Sequence, residues 1–281
     1  MILKFACPDQ RGLVARVTSF LAEHGANILD MAQFTDQLAG WFFLRIHFDA
    51  SRLDLAPEDL HDRFAGLARG LAAEWRLRPA ARLMPTVILV TRERHCLQDL
   101  LARCASGELP ISIRAVVSNH EQLQPVVERA GCPFVFLPVD PAARPASFEP
   151  YRTVFEECAA ELVVLARFMQ ILPPALCRDY AGRIINIHHS FLPAFAGANP
   201  YRQAFRRGVK IIGATSHYVT EDLDAGPIIE QEVLRVEHYH TPEDLVRLGR
   251  DCERIALSRA VRYHSAGRVL IHGNKTVVFR D

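Results

Sequence analysis

Apolar and polar positions follow two different rhythms along this chain, and the change between them marks its organisation. Residues 1–6 form a short apolar run. Residues 12–24 place Leu13, Val17, Phe20 and Leu21 at helical spacing, and Gly25 supplies a stop. Residues 27–35 and 41–48 read as strands joined by a hairpin connection at 37–40. Residues 59–74 are amphipathic, with Leu60, Phe64, Leu67 and Leu71 on one face, and residues 75–78 supply a last strand. The first eighty residues therefore predict a small βαββαβ unit.

The prolines at 79 and 85 punctuate the chain, and the domain boundary is expected there, giving residues 1–80 and 85–281. Beyond it, strands alternate with helices. Residues 86–91, 113–118, 134–138, 162–166 and 184–187 are short apolar strands; helical stretches fall at 96–104, 122–130, 151–160 and 174–180. That alternation predicts an α/β fold with a doubly wound, mostly parallel sheet. Residues 210–219 and 227–236 read as further strands, 242–265 as a long helix, and 269–278 as a closing hairpin turning at Gly273-Asn274.

Composition narrows the function classes. Of 281 residues, 49% are hydrophobic and 23% charged, which is ordinary for globular domains. The net charge of +1 gives no electrostatic footprint for nucleic acid or an anionic membrane. No apolar run approaches bilayer length, and the first residues lack a secretory pattern. The seven cysteines are odd in number and unpaired in spacing, which argues against a disulfide framework and for a reducing compartment. A cytoplasmic protein without nucleic-acid or membrane partners is expected.

Candidate chemistry concentrates in two segments. In Asn186-Ile187-His188-His189-Ser190-Phe191-Leu192-Pro193, Asn186 and His188 lie two apart at the end of a buried strand, so both point the same way. Ligands of open α/β sheets bind outside the carboxyl ends of strands. An amide and an imidazole there can donate to an oxyanion; they serve equally as a structural asparagine and a core histidine. In Asp222-Leu223-Asp224-Ala225-Gly226-Pro227, Asp224 is either a turn residue or a partly buried base, its pKa raised by burial toward working pH. His217 precedes this loop and is placed to hold Asp224. His189, by strand alternation, faces away from His188 and has a packing or supporting role. By residue type alone His188, His189, His217 and Asp224 could make a zinc centre, but no H-x-x-x-H or H-E-x-x-H pair accompanies them, so no metal is expected.

Residues 85–281 resemble the formyl-folate transferase and hydrolase superfamily. Asn186, His188 and Asp224 match its N-x-H and D-x-G-P catalytic positions. Leu165-Ala166-Arg167-Phe168-Met169-Gln170-Ile171-Leu172 matches the segment lining its folate pocket, and Thr220 to Asp224 the loop holding the pterin. The resemblance implies folate contacts from Leu165, Phe168, Met169, Gln170, Ile171, Leu172, Val219, Thr220, Glu221 and Asp222. The first module resembles an ACT domain, through Cys7-Pro8-Asp9-Gln10-Arg11-Gly12 and Ala22-Glu23-His24-Gly25-Ala26-Asn27-Ile28. The ribonucleotide transformylases of the superfamily carry a glycine-rich phosphate loop after the first strand. Here that place reads Thr91-Arg92-Glu93-Arg94-His95-Cys96, without glycine.

The ACT-like module, together with His188 to Phe195 and Gly213 to Tyr218, is similar to the deformylase branch. The implied reaction is hydrolysis of 10-formyltetrahydrofolate, as substrate, to formate and tetrahydrofolate, with no prosthetic group. Asp224 would activate water while Asn186 and His188 stabilise the oxyanion. The alternatives are a formyl transferase with an amine acceptor, or a non-catalytic regulator binding folate and amino acid. An amino-acid effector at the ACT-like module and a homodimer or homotetramer are also implied.

Overall fold

A computed structural model describes residues 1–192 and 200–280. Pro193 to Phe195, the end of the segment similar to the deformylase branch, lie outside the described residues. Contacts divide the chain into two compact units. One comprises residues 1–82, 266–272 and 277–281, and the other residues 83–265 and 273–276.

In the first unit the order is β1 (Ile2–Pro8), α1 (Leu13–Glu23), β2 (Asn27–Asp36), β3 (Trp41–Asp49), α2 (Pro57–Gly70) and β4 (Glu74–Arg78). The sheet runs β2-β3-β1-β4, with every neighbouring pair antiparallel. Leu13, Val17 and Leu21 form the buried stripe that the helical spacing required. They join a core with Phe5, Leu44 and Ile46 from the sheet and Leu60, Phe64 and Ala68 from α2. The expected βαββαβ unit is present. Its second helix is shorter than the apolar spacing implied: it ends at Gly70, and Ala72 turns with φ +50 before β4 begins. Leu71 stays buried just past the helix, so periodicity alone cannot see the end.

The second unit continues with β5 (Met84–Val90), α3 (His95–Ala105), β6 (Ile111–Ser118), α4 (Gln124–Arg129), β7 (Phe134–Phe136), α5 (Arg144–Ser147), α6 (Glu149–Glu157), β8 (Leu162–Leu165), α7 (Pro174–Asp179), β9 (Ile184–His188), α8 (Pro200–Arg207), β10 (Ile211–Tyr218), β11 (Ile228–Arg235) and α9 (Pro242–Ser265). After α9 comes a hairpin of β12 (Val269–His272) and β13 (Lys275–Val278), of which β12 is counted with the first unit. The large sheet is ordered β11-β10-β9-β8-β5-β6-β7. From β9 to β7 neighbours are parallel; β10 and β11 add an antiparallel edge. Val87 to Val90 and Leu162 to Val164 have no exposed surface, as strands covered on both faces must. The fold is the α/β, mostly parallel arrangement expected. Helices α5 and α8 were not anticipated, and α6 lies earlier than the expected 151–160 because Ala159 leaves the helix at φ +46.

The order of connection reverses beside β5, where the chain runs outward to β6 in one direction and to β8 in the other. The carboxyl ends of β5, β8 and β9 therefore frame the crevice in which such sheets bind ligands.

Gly25 tests the packing of the first unit. It sits at φ +77, and a Cβ there would lie 2.4 Å from the Arg52 carbonyl oxygen, whereas Gly40, at φ +62, has open space around it. Gly40→Ala is expected to cost roughly 1–2 kcal/mol of unfolding free energy, the left-handed penalty alone. Gly25→Ala should cost roughly 3 kcal/mol or more, because backbone must also move. Chemical denaturation of the two variants checks the difference; equal losses would contradict this reading of the packing.

Candidate active site

Strand β9 carries Asn186 and His188 to the carboxyl end of the sheet, and β10 pairs against it so that Asn186 lies opposite His217 and His188 opposite Thr215. The chain after β9 is fixed by the buried Thr215 hydroxyl, which accepts from the Leu192 amide at 3.1 Å and donates to the Ser190 carbonyl at 3.0 Å. After β10 the chain turns back through residues 219–227. The Tyr218 amide donates to the Pro227 carbonyl at 2.9 Å. A Cβ on Gly226 would sit 1.8 Å from the Tyr218 carbonyl oxygen, so only glycine lets this loop close so tightly. Asp224 occupies the loop in the left-handed region, φ +54, and is delivered to the end of β9.

The result is a cluster of four side chains. His188 Nδ1 lies 3.1 Å from Asp224 Oδ2, and His217 Nε2 lies 3.6 Å from Asp224 Oδ1. Asn186 Nδ2 is 3.3 Å from the same His217 nitrogen, and His217 Nδ1 donates to the Tyr218 carbonyl at 2.9 Å. In neutral His217 the Nε2 lone pair accepts from Asn186; a second proton would face Asp224. His188 must donate from Nδ1, because a carboxylate only accepts. Its Nε2 is buried and has no partner among the described residues.

Hydrogen bonding from His188, then the close approach of His217, holds the Asp224 carboxyl well below the usual carboxylate range, against the opposing effect of partial burial. This corrects the expectation that burial would raise it: the imidazoles outweigh desolvation. His189 is a second correction. Strand β9 ends at His188, so alternation no longer governs the next residue, and His189 lines the same cleft with its ring centroid 5.2 Å from that of His188. Burial, then the charge of Arg167, pushes His189 down to about 4, so it is a neutral imidazole at physiological pH.

These groups open onto a cleft of about 250 Å³. All ten residues expected to contact folate line it, together with Asn186, His188, His189, His217 and Asp224. Its wall is apolar but not sealed, with Met169 and Ile171 each more than half exposed. The Met169 amide donates to the Thr91 hydroxyl at 3.0 Å, which ties the segment after β8 to the end of β5. In the loop after β5, Glu93 pairs with Arg250 at 2.9 Å. That carboxylate stands where a phosphate cradle would need bare amides.

Sequence reasoning missed a second polar cluster. Glu253 on α9 is 1% exposed and takes hydrogen bonds from His95 Nε2 and the Tyr201 hydroxyl, each at 2.8 Å, with Arg167 Nε at 3.4 Å. Gly249, one turn earlier, lets the Tyr201 ring approach, since a Cβ there would lie 2.1 Å from it. His95, Cys96 and Glu253 are close enough to one another to share a metal ion among the described residues, but both Glu253 oxygens are already engaged.

Residues 84–261 match the formyl transferase family, and residues 1–64 match the ACT domain. A formyltetrahydrofolate deformylase of Bacillus subtilis is 46% identical over 99% of this chain and 93% of its own. This chain belongs to the formyltetrahydrofolate deformylase family. The crystal structure of a deformylase from Pseudomonas syringae pv. tomato superposes with a TM-score of 0.97 at 48% identity, covering 99% of this chain and 94% of that one. A glycinamide ribonucleotide transformylase from Symbiobacterium toebii, at 31% identity and a TM-score of 0.66, covers 73% of this chain and 98% of its own. The deformylase family thus shares both units of this chain.

The depressed Asp224 pKa has a thermodynamic consequence. A carboxylate whose folded pKa lies below its unfolded value of about 4 adds stability above that pH, and the contribution is lost as pH falls through the folded pKa. Wild-type protein is therefore expected to lose stability on acidification below about pH 4 more steeply than Asp224→Asn. Denaturant unfolding across acidic pH checks this; parallel curves would contradict it.

Proposed function

We propose that this chain hydrolyses 10-formyltetrahydrofolate to formate and tetrahydrofolate at the Asn186, His188 and Asp224 cluster. The observation that carries the reading is the Nε2 of His188, without a partner among the described residues and buried at the cleft that Asn186 also lines, while Nδ1 is anchored on Asp224. A buried polar atom without a partner is costly, and a substrate oxygen would satisfy it.

The formyl carbon on N10 is amide-like and reacts slowly with water. In its doubly protonated form His188 donates Nε2–H to the formyl oxygen, and Asn186 supplies an amide N–H. Both donors are fixed before reaction, so they stabilise the negative charge that develops there. Asp224 is ionised and orients the attacking water. A carboxylate held so far toward its ionised form is a weak proton acceptor at rest. Its work is to pass the water proton onward to N10 rather than keep it. The water oxygen bonds to the formyl carbon, the C–N10 bond breaks, one water proton goes to N10, and ionisation of formic acid releases the other. His217 supports Asp224 and Asn186, and His189 supports the site as a neutral hydrogen-bonding group.

The segment from Leu165 to Leu172 and the loop from Val219 to Asp222 are read as the folate-binding walls. Leu165, Phe168, Met169, Ile171, Leu172 and Val219 would take the ring faces, and Gln170, Thr220, Glu221 and Asp222 the polar edges. The substrate carries the one-carbon unit, so the reading needs no prosthetic group. The ACT-like unit supports regulation by an amino acid. Its edge strand β2 exposes Leu29, Met31 and Phe34, which favours a homodimer or homotetramer. Seven free cysteines favour a cytoplasmic location.

Incubation with 10-formyltetrahydrofolate and no acceptor should release formate. Asn186→Ala is expected to slow release about 10²–10³-fold, the loss of one oxyanion donor. Asp224→Asn should slow it at least as much. Unchanged release in both variants, or turnover only when an amine acceptor is supplied, would overturn the assignment.

A further inference from the structure

Arg167 is built unlike an ordinary core arginine. It follows β8 directly and holds φ +64, a left-handed conformation that a long side chain adopts at a cost. It lines the same cleft as His188, His189 and Asp224. Glu253 faces its Nε at 3.4 Å, but that carboxylate is already filled by His95 on one oxygen and Tyr201 on the other. Burial alone would raise the Glu253 carboxyl; its hydrogen bonds and the Arg167 charge overturn this and hold it below its ordinary value. The guanidinium charge is therefore compensated while its donors are not: among the described residues Nε, which faces Glu253, and Nη1 are buried without a hydrogen-bond partner. Nη1 belongs to the terminal fork of the guanidinium, and such a planar group with an N–H donor to spare is a natural receptor for a carboxylate.

We propose that Arg167 is the receptor for the formate anion produced in the cleft, braced for that task by Glu253, His95 and Tyr201. The inference rests on the hydrolysis proposed above. That reaction generates an anion next to Asp224, itself ionised, and two like charges in a partly buried site repel strongly. A cation held at the same end of the cleft offsets this repulsion as the C–N10 bond breaks. The folate glutamate tail also carries carboxylates. Arg167, however, faces Glu253, whose partner Tyr201 packs its ring edge-on to His189, the neighbour of His188, and this chain of contacts places it at the reacting end.

The test is titration of ¹³C-formate into the protein loaded with tetrahydrofolate, followed by the formate line width. Wild type should broaden the signal. Arg167→Gly, whose backbone accepts the left-handed angle, should weaken formate binding about tenfold or more, as loss of a charge-assisted pair implies. Arg167→Lys keeps a cation beside Glu253 and secures the answer should the glycine variant fail to fold; it should weaken binding several-fold by losing the fork. Formate affinity equal to wild type in every folded Arg167 variant overturns the inference. So does a loss of folate affinity in Arg167→Gly that disappears when the ligand lacks its glutamate tail. Asp224→Asn separates the two levels: it should still bind formate, and normal hydrolysis by it would defeat the underlying mechanism instead.

Discussion

The hydrogen bond from His188 Nδ1 to Asp224 Oδ2 organises this site. A carboxylate can only accept, so it fixes which imidazole nitrogen is committed and which is left for a ligand. It is made possible by two features of the backbone: a parallel strand that ends at His188, and a loop closed on Tyr218 so tightly that residue 226 must be glycine. Without that closure Asp224 would have no reason to meet β9, from which it is separated by 36 positions of sequence. The same pairing keeps Asp224 ionised, which makes it an orienting charge more than a store for a proton.

Around this contact the second unit balances charges in a small volume. Asp224 is ionised, Glu253 is ionised and sealed from solvent, and Arg167 lines the cleft with donors to spare. The non-glycine residues in left-handed backbone include Arg167 and Asp224, both at the cleft. Such strain persists where surrounding structure over-determines it, and functional sites are where it collects. His189, neutral beside Arg167, adds a polar group without adding charge.

Much of this was legible in the residues. The stripe of Leu13, Val17 and Leu21 fixed the first helix, and the continuous apolar run through Val87 to Val90 announced a buried parallel strand. Two-residue spacing placed Asn186 and His188 on one side of a strand, and both line the cleft. What failed did so for local reasons. Alternation was extended one residue past the end of β9, which misdirected His189. Burial alone gives the wrong sign for the Asp224 pKa, which is set by His188 and His217, contacts that adjacency in sequence cannot reveal. The partnership of Arg167 with Glu253 spans 86 positions and joins a loop to a long helix, so no spacing rule could have found it. Helix α8 offers few apolar positions, and its signature residue, Tyr201, acts through a hydroxyl bond to Glu253.

If the His188–Asp224 contact is the organising interaction, the two residues act as one unit. The direct measurement is a double-mutant cycle on kcat/KM for formate release, with His188→Ala, Asp224→Asn and the combination. The account predicts that the double variant is no slower than the slower single one, because either change already dismantles the unit. Losses that multiply, as for independent groups, would contradict it.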